Sequence, residues 1–118
     1  MKYSMAGSMA GSMAGLLQAL QSEAAFRQEV ILASVLVPVA FMVSVDVAQR
    51  ILLLSSVMLV MVVELINSAI EAALDRVSLD HHPLAKRAKD MGSAAVFLAL
   101  ANAVLTWGIV FWPRVGWA

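Results

Sequence analysis

Apolar positions dominate this chain, and the few polar interruptions divide it into segments. Val30 to Val45, VILASVLVPVAFMVSV, is almost unbroken. With its flanks it reaches the roughly 20 residues that a bilayer crossing needs, so a first span is expected over 28–46. Pro38 can kink it, since neighbours in a membrane bundle satisfy the carbonyl that a proline frees. Asp46 to Arg50, DVAQR, is too short for any return but a helical hairpin. A second span is expected over 51–74 and a third over 91–112, closed by Trp107 and Trp112 at interfacial depth. Asp75 to Asp90 carries the densest charge and contains Pro83, which predicts a loop with a helical end. Leu16 to Arg27 repeats apolar residues at Leu16, Leu20, Ala24 and Phe26, as an amphipathic surface helix does. Ser22 is placed to cap a helix starting at Glu23. Ser4 to Gly15 is three copies of Ser-Met-Ala-Gly. Its Gly7, Gly11 and Gly15 have the spacing that lets membrane helices approach, but its apolar stretch is too short to span. Residues 1–15 are therefore expected to form a low-complexity tail, weakly ordered or lying on the surface.

The second span carries the unusual feature. Glu64, Asn67, Glu71 and Asp75 return to one face at about 100° per residue, with Ser68 beside them. An acid at the centre of a bilayer costs roughly 2.5–3.5 kcal/mol on insertion scales, so such residues persist mainly where they line a site or a wet cavity. Glu64 to Glu71 covers about 10 Å of helix axis at 1.5 Å per residue. The stripe thus runs from inside the hydrocarbon to its edge, where lipid hydroxyls lie.

Composition agrees with this reading. The 118 residues are 62% hydrophobic and 14% charged, far more apolar than a soluble domain requires. The expected fold is all-α: an integral membrane domain over 16–118, with three transmembrane helices and an N-terminal amphipathic surface helix. The net charge of +0 and the lack of a basic patch argue against nucleic acid as a partner. The absence of cysteine removes thiol and iron–sulfur chemistry. Arg76, Lys86, Arg87 and Lys89 all fall between spans two and three, whereas the first turn has only Arg50. By the positive-inside rule the long connection and the amino terminus are cytoplasmic.

Carboxylates from two helices suit a hard divalent cation, and Mg²⁺ in particular takes one or two of them together with substrate phosphates. Glu23 and Glu71 are the expected pair. Lys89 can offset phosphate charge and Asn67 can orient a ligand. Glu64, the deepest acid, is suited to take a proton from a hydroxyl. No Gly-x-x-x-x-Gly-Lys-Ser/Thr or Gly-x-Gly-x-x-Gly loop occurs, so any phosphoryl transfer uses a different scaffold. Plainer roles stand beside these. Glu23 and Arg27 are spaced as a surface helix pair, Ser68 and Ser93 as packing residues, and His81-His82 as exposed loop rather than a metal site. On residues alone, a small proton-coupled transporter and a non-catalytic assembly subunit also stay open, although three spans and a stripe reaching the membrane edge weigh against the former.

EAAFRQE at Glu23 to Glu29, LLLSSVMLVMVVELINSAIEAALDR at Leu52 to Arg76, and RAKDMGSAAV at Arg87 to Val96 resemble the prokaryotic diacylglycerol kinase family, small lipid kinases of the bacterial inner membrane. The resemblance covers about Ser12 to Trp112. It implies a homotrimer with active sites shared between subunits, using ATP and Mg²⁺ to phosphorylate the primary hydroxyl of diacylglycerol. By position it makes Glu64 similar to the catalytic base and Glu23 and Glu71 to the metal-binding acids. Asn67, Lys89, Asp90 and Gly15 become nucleotide- or substrate-binding candidates, and Ser93 and Arg27 lipid-site candidates. The family's Tyr-Ser-x-Lys-Gly-Leu stretch is reduced here to Ser12-Met13-Ala14-Gly15-Leu16, without the tyrosine and lysine. An undecaprenol kinase of the same family is the near alternative, because Val57, Val60 and Met61 above Glu64 do not distinguish a polyprenol from two acyl chains.

Overall fold

The computed structural model describes residues 5–77 and 83–115. Helix α1 is Met5–Ser22, α2 is Ala24–Met42, α3 is Val47–Val77 and α4 is Pro83–Phe111, followed by a 3-10 turn at Trp112–Val115. Three of these, Ala24–Met42, Val47–Arg76 and Pro83–Phe111, are long and apolar enough to cross a membrane. At 1.5 Å per residue α3 is about 46 Å long, well beyond the roughly 30 Å of hydrocarbon that a crossing needs. The expected charged loop is shorter than its composition suggested, because Pro83 begins α4 and residues 83–90 are helical. A proline fits the first turn of a helix, where its missing N–H has no partner to lose. His81-His82 and Trp117 lie outside the described residues.

The helix boundaries at the amino terminus differ from those expected, and the repeat lies exposed. The Ser-Met-Ala-Gly repeat is helical from Met5 onward, continuous with Leu16 to Ser22. Methionine and alanine are strong helix formers, and each glycine costs only about 1 kcal/mol against them. The four-residue period also keeps Met5, Met9 and Met13 near one exposed face. The helix then breaks at Glu23, whose backbone is extended at φ −113° and ψ 107°, so 24–27 belong to α2. Ser22 does not cap α2. Its Oγ–H donates to the Gln18 carbonyl at 2.6 Å, and Glu23 takes the N-cap position without a side-chain cap bond. The Glu23 carboxylate is thereby left for other partners.

Two arginines stitch the helices end to end. Arg27 Nη1 donates to the carbonyls of Leu20 and Gln21, both at 3.0 Å, at the end of α1. It makes these bonds in place of the surface pair with Glu23. Arg50 Nη1 reaches Ala40 O at 2.6 Å, Phe41 O at 2.8 Å and Val43 O at 3.3 Å, and its Nη2 reaches Val45 O at 3.3 Å. Helix C-termini leave carbonyls unpaired and carry partial negative charge, which a forked cation satisfies. Asp46 and Gln49 complete the hairpin reciprocally. The Gln49 N–H donates to Asp46 Oδ1 at 2.7 Å and the Asp46 N–H to Gln49 Oε1 at 3.4 Å. Arg50→Met keeps the apolar stem and loses every one of the guanidinium bonds. It is expected to lower stability by about 2 kcal/mol, the scale of a charge-assisted hydrogen bond set, read as a lower unfolding midpoint in detergent, with Arg50→Lys recovering only part.

The core beside this hairpin is small: Ala40, Leu53 and Val110, with Val43, Val45, Leu54, Trp107 and Phe111 packed around them. Trp107 stacks on Phe111 at 5.6 Å between ring centroids, and its indole N–H is shared between Ser56 Oγ at 3.0 Å and Leu53 O at 3.3 Å. These contacts pin α4 antiparallel to α3. Ala40 and Leu53 set the register of α2 against α3. Alanines at the helix crossings, Ala33 and Ala40 on α2 and Ala99 on α4, are buried where bulkier residues would hold the helices apart.

Candidate active site

The register just described brings the acids together. Eleven residues back from Ala40 is Glu29 on α2, and eleven forward from Leu53 is Glu64 on α3. In an antiparallel pair of equal rise those two lie level. Glu23 and Glu71, six and seven residues further, lie at the next level toward the helix ends. Glu64 is 7% exposed, Glu23, Glu29 and Glu71 are half-buried, and Glu64 feels the charges of the other three. Among the described residues none of the four is in an ion pair. Like charges that feel one another repel, and among the described residues no three of them converge closely enough to hold a metal ion by themselves.

Asn67 sits between Glu64 and Glu71 on the same face of α3. Its Oδ1 is buried and accepts no hydrogen bond from the described residues, a condition that costs about 1–3 kcal/mol. It occupies the space that a Cβ would take at Gly92 on α4. Beyond it, toward the end of α3, Lys89 Nζ donates to Asp75 Oδ1 at 2.9 Å, joining α4 to α3, and also feels Glu71. Lys89 thus belongs electrostatically to the acidic face. Asp90 turns instead to Lys86 on its own helix, at 2.7 Å. Ser93 is exposed on α4, and Arg27 is engaged with the end of α1.

Two hollows flank the acids. One, of about 200 Å³, runs between α2, α3 and α4, with Glu29 at its polar end and Leu32, Leu36, Val57, Val60 and Trp107 among its walls. Val57 and Val60 are the residues expected above Glu64, whereas Met61 is not part of this wall. The other, of about 570 Å³, lies between α1 and α3, where Ser12, Gly15 and Glu23 face Ser68, Ala69 and Ala72. A Cβ added at Gly15 would meet nothing within 4 Å, so the cleft is open at this wall.

Glu29 and Gly92 were not singled out from the sequence. Glu29 had a signal, an acid leading directly into an apolar span. Gly92 had none, because what meets it is a side chain of another helix.

The prokaryotic diacylglycerol kinase family model matches residues 10–111. This chain belongs to the prokaryotic diacylglycerol kinase family. A diacylglycerol kinase of Pseudomonas aeruginosa is 54% identical over 108 residues, covering 92% of this chain and 81% of that protein. One of Escherichia coli is 54% identical over 95 residues, covering 80% and 78%. One of Haemophilus influenzae is 46% identical over 107 residues, covering 91% and 84%. The family's match takes in all four acids, Asn67, Lys89 and Gly92, and begins within the Ser-Met-Ala-Gly repeat.

Proposed function

We propose that this membrane kinase transfers the γ-phosphoryl group of ATP to the primary hydroxyl of diacylglycerol, giving phosphatidic acid. The observation that carries the reading is the gathering of Glu64, Glu29, Glu23 and Glu71 on facing helices beside an apolar groove. The groove takes an acyl chain and brings the hydroxyl to the depth of Glu64. The hydroxyl oxygen bonds to the γ-phosphorus, the bond from that phosphorus to the β–γ bridging oxygen breaks, ADP leaves, and the hydroxyl proton passes to Glu64. Asn67 orients the reacting oxygens, and Lys89 offsets phosphate charge from the membrane edge. The α1–α3 cleft, with Gly15 in its wall, is the reading for the nucleotide.

Glu23 and Glu71 are the residues that would hold Mg²⁺. Among the described residues no three acids form a ready metal cage, and Mg²⁺ needs only one or two carboxylates when phosphates and water complete its shell. When bound it supplies charge neutralisation to the transferring phosphoryl group.

We also propose a homotrimer in the bacterial inner membrane, with sites shared between subunits and the long connection facing the cytoplasm. In its support, only 17%, 28% and 11% of the apolar windows of α2, α3 and α4 are buried within one chain, which leaves ample helix surface for partner copies. The basic residues Arg76, Lys86, Arg87 and Lys89 at the α3–α4 end support the orientation.

Lipid choice is tested by coupled ATP turnover with diacylglycerol or undecaprenol, singly and in competition. Diacylglycerol is expected to drive turnover and to win. Turnover with undecaprenol alone would reassign the acceptor, and none with either lipid would reject the reaction.

A further inference from the structure

We propose that Gly92 is a positioning residue for the reaction and acts through Asn67. The proposal rests on the assignment of Asn67 to the site. Asn67 Oδ1 fills the place of a Cβ at Gly92, with Asn67 Cγ only 3.2 Å from that place. Any larger residue at position 92 therefore displaces the amide. The same oxygen is buried and accepts nothing from the described residues, so no hydrogen bond holds it there. The slot in α4 holds it by shape. A side-chain amide is planar, with its acceptor and its donors at opposite ends of one flat group. With one end of that flat group in the α4 slot, the other end is aimed away from α4, and a methyl group in the slot abolishes that aim.

Gly92 could instead serve only close helix packing, as small residues between membrane helices commonly do. The two roles separate because Asn67 Cβ stands 3.9 Å from the added Cβ, an ordinary contact. With alanine at both positions the helices fit at their present separation. Harm done by Gly92→Ala should therefore depend on the amide being present.

The experiment is a double-mutant cycle of Gly92→Ala, Asn67→Ala and the combined variant in the full chain, reading kcat, KM and the unfolding midpoint. Gly92→Ala is expected to lower kcat at least about tenfold, the scale of a misplaced group, with KM for ATP and lipid within about twofold, since transition-state rather than ground-state contacts are lost. Its midpoint is expected to fall. In the Asn67→Ala background the same change should alter neither kcat nor midpoint. Equal penalties in both backgrounds, or an unchanged kcat in Gly92→Ala, would overturn the proposal. Should Gly92→Ala fail to fold, a folded double variant supports the proposal and an unfolded one rejects it. A parent protein without lipid-dependent turnover would overturn the reaction instead, and the midpoints would still decide whether Gly92 seats the amide.

Discussion

Glu64→Gln is expected to reduce diacylglycerol-dependent ATP turnover by at least about a hundredfold, the lower end of what a general base contributes. Glutamine preserves the length and most of the hydrogen bonding of glutamate but does not take a proton. Glu64 is the most buried acid of the cluster, and it feels the charge of Glu29, the acid that lines the apolar groove. An acid so placed is suited to proton transfer and burdens the fold. Removing one carboxylate from four that repel one another should leave the unfolding midpoint unchanged or raise it. Loss of activity with equal or greater stability separates a catalytic role from a packing role. Near-parental turnover in Glu64→Gln would remove the base assignment.

The second large effect is expected from Glu71→Ala, measured as the dependence of turnover on Mg²⁺. Even groups that merely support a metal ligand weaken binding about 10–100-fold when lost, so removing a direct carboxylate should raise the half-saturating Mg²⁺ by at least about tenfold. Turnover at saturating metal should recover in part, because Glu23 remains. Glu71 also lies in the field of Lys89, so the KM for ATP is expected to change with the metal requirement. An unchanged Mg²⁺ titration would take Glu71 out of the metal site.

The three spans were legible because hydropathy over a window of that length is a property of composition, independent of what the helix touches. The acidic stripe was legible for a related reason. Glu64, Asn67 and Glu71 share one helix, and the helical period alone aligns them. What lies across a contact was not legible in the same way. Glu29 opposite Glu64 depends on the register of the α2–α3 hairpin, which Ala40 and Leu53 set. The Asn67 and Gly92 contact depends on how α4 meets α3. Arg27 and Arg50 read locally as surface and topology charges, yet each reaches back to carbonyls of the preceding helix. The repeat left order open: its glycines allowed a weakly ordered or surface-lying tail, and its methionines, alanines and four-residue period sustain an exposed α1. The Asp46 and Gln49 box was fully present in the sequence as an acid and an amide three residues apart, and only the placement of the turn obscured it.

If acids on facing membrane helices carry a phosphoryl group to a lipid alcohol, label from the terminal phosphate of ATP must end on the lipid. Purified protein in bilayers, supplied with γ-³²P-ATP, Mg²⁺ and diacylglycerol, should yield labelled phosphatidic acid in step with ADP. ADP released without labelled lipid, or at the same rate when diacylglycerol is omitted, would contradict it.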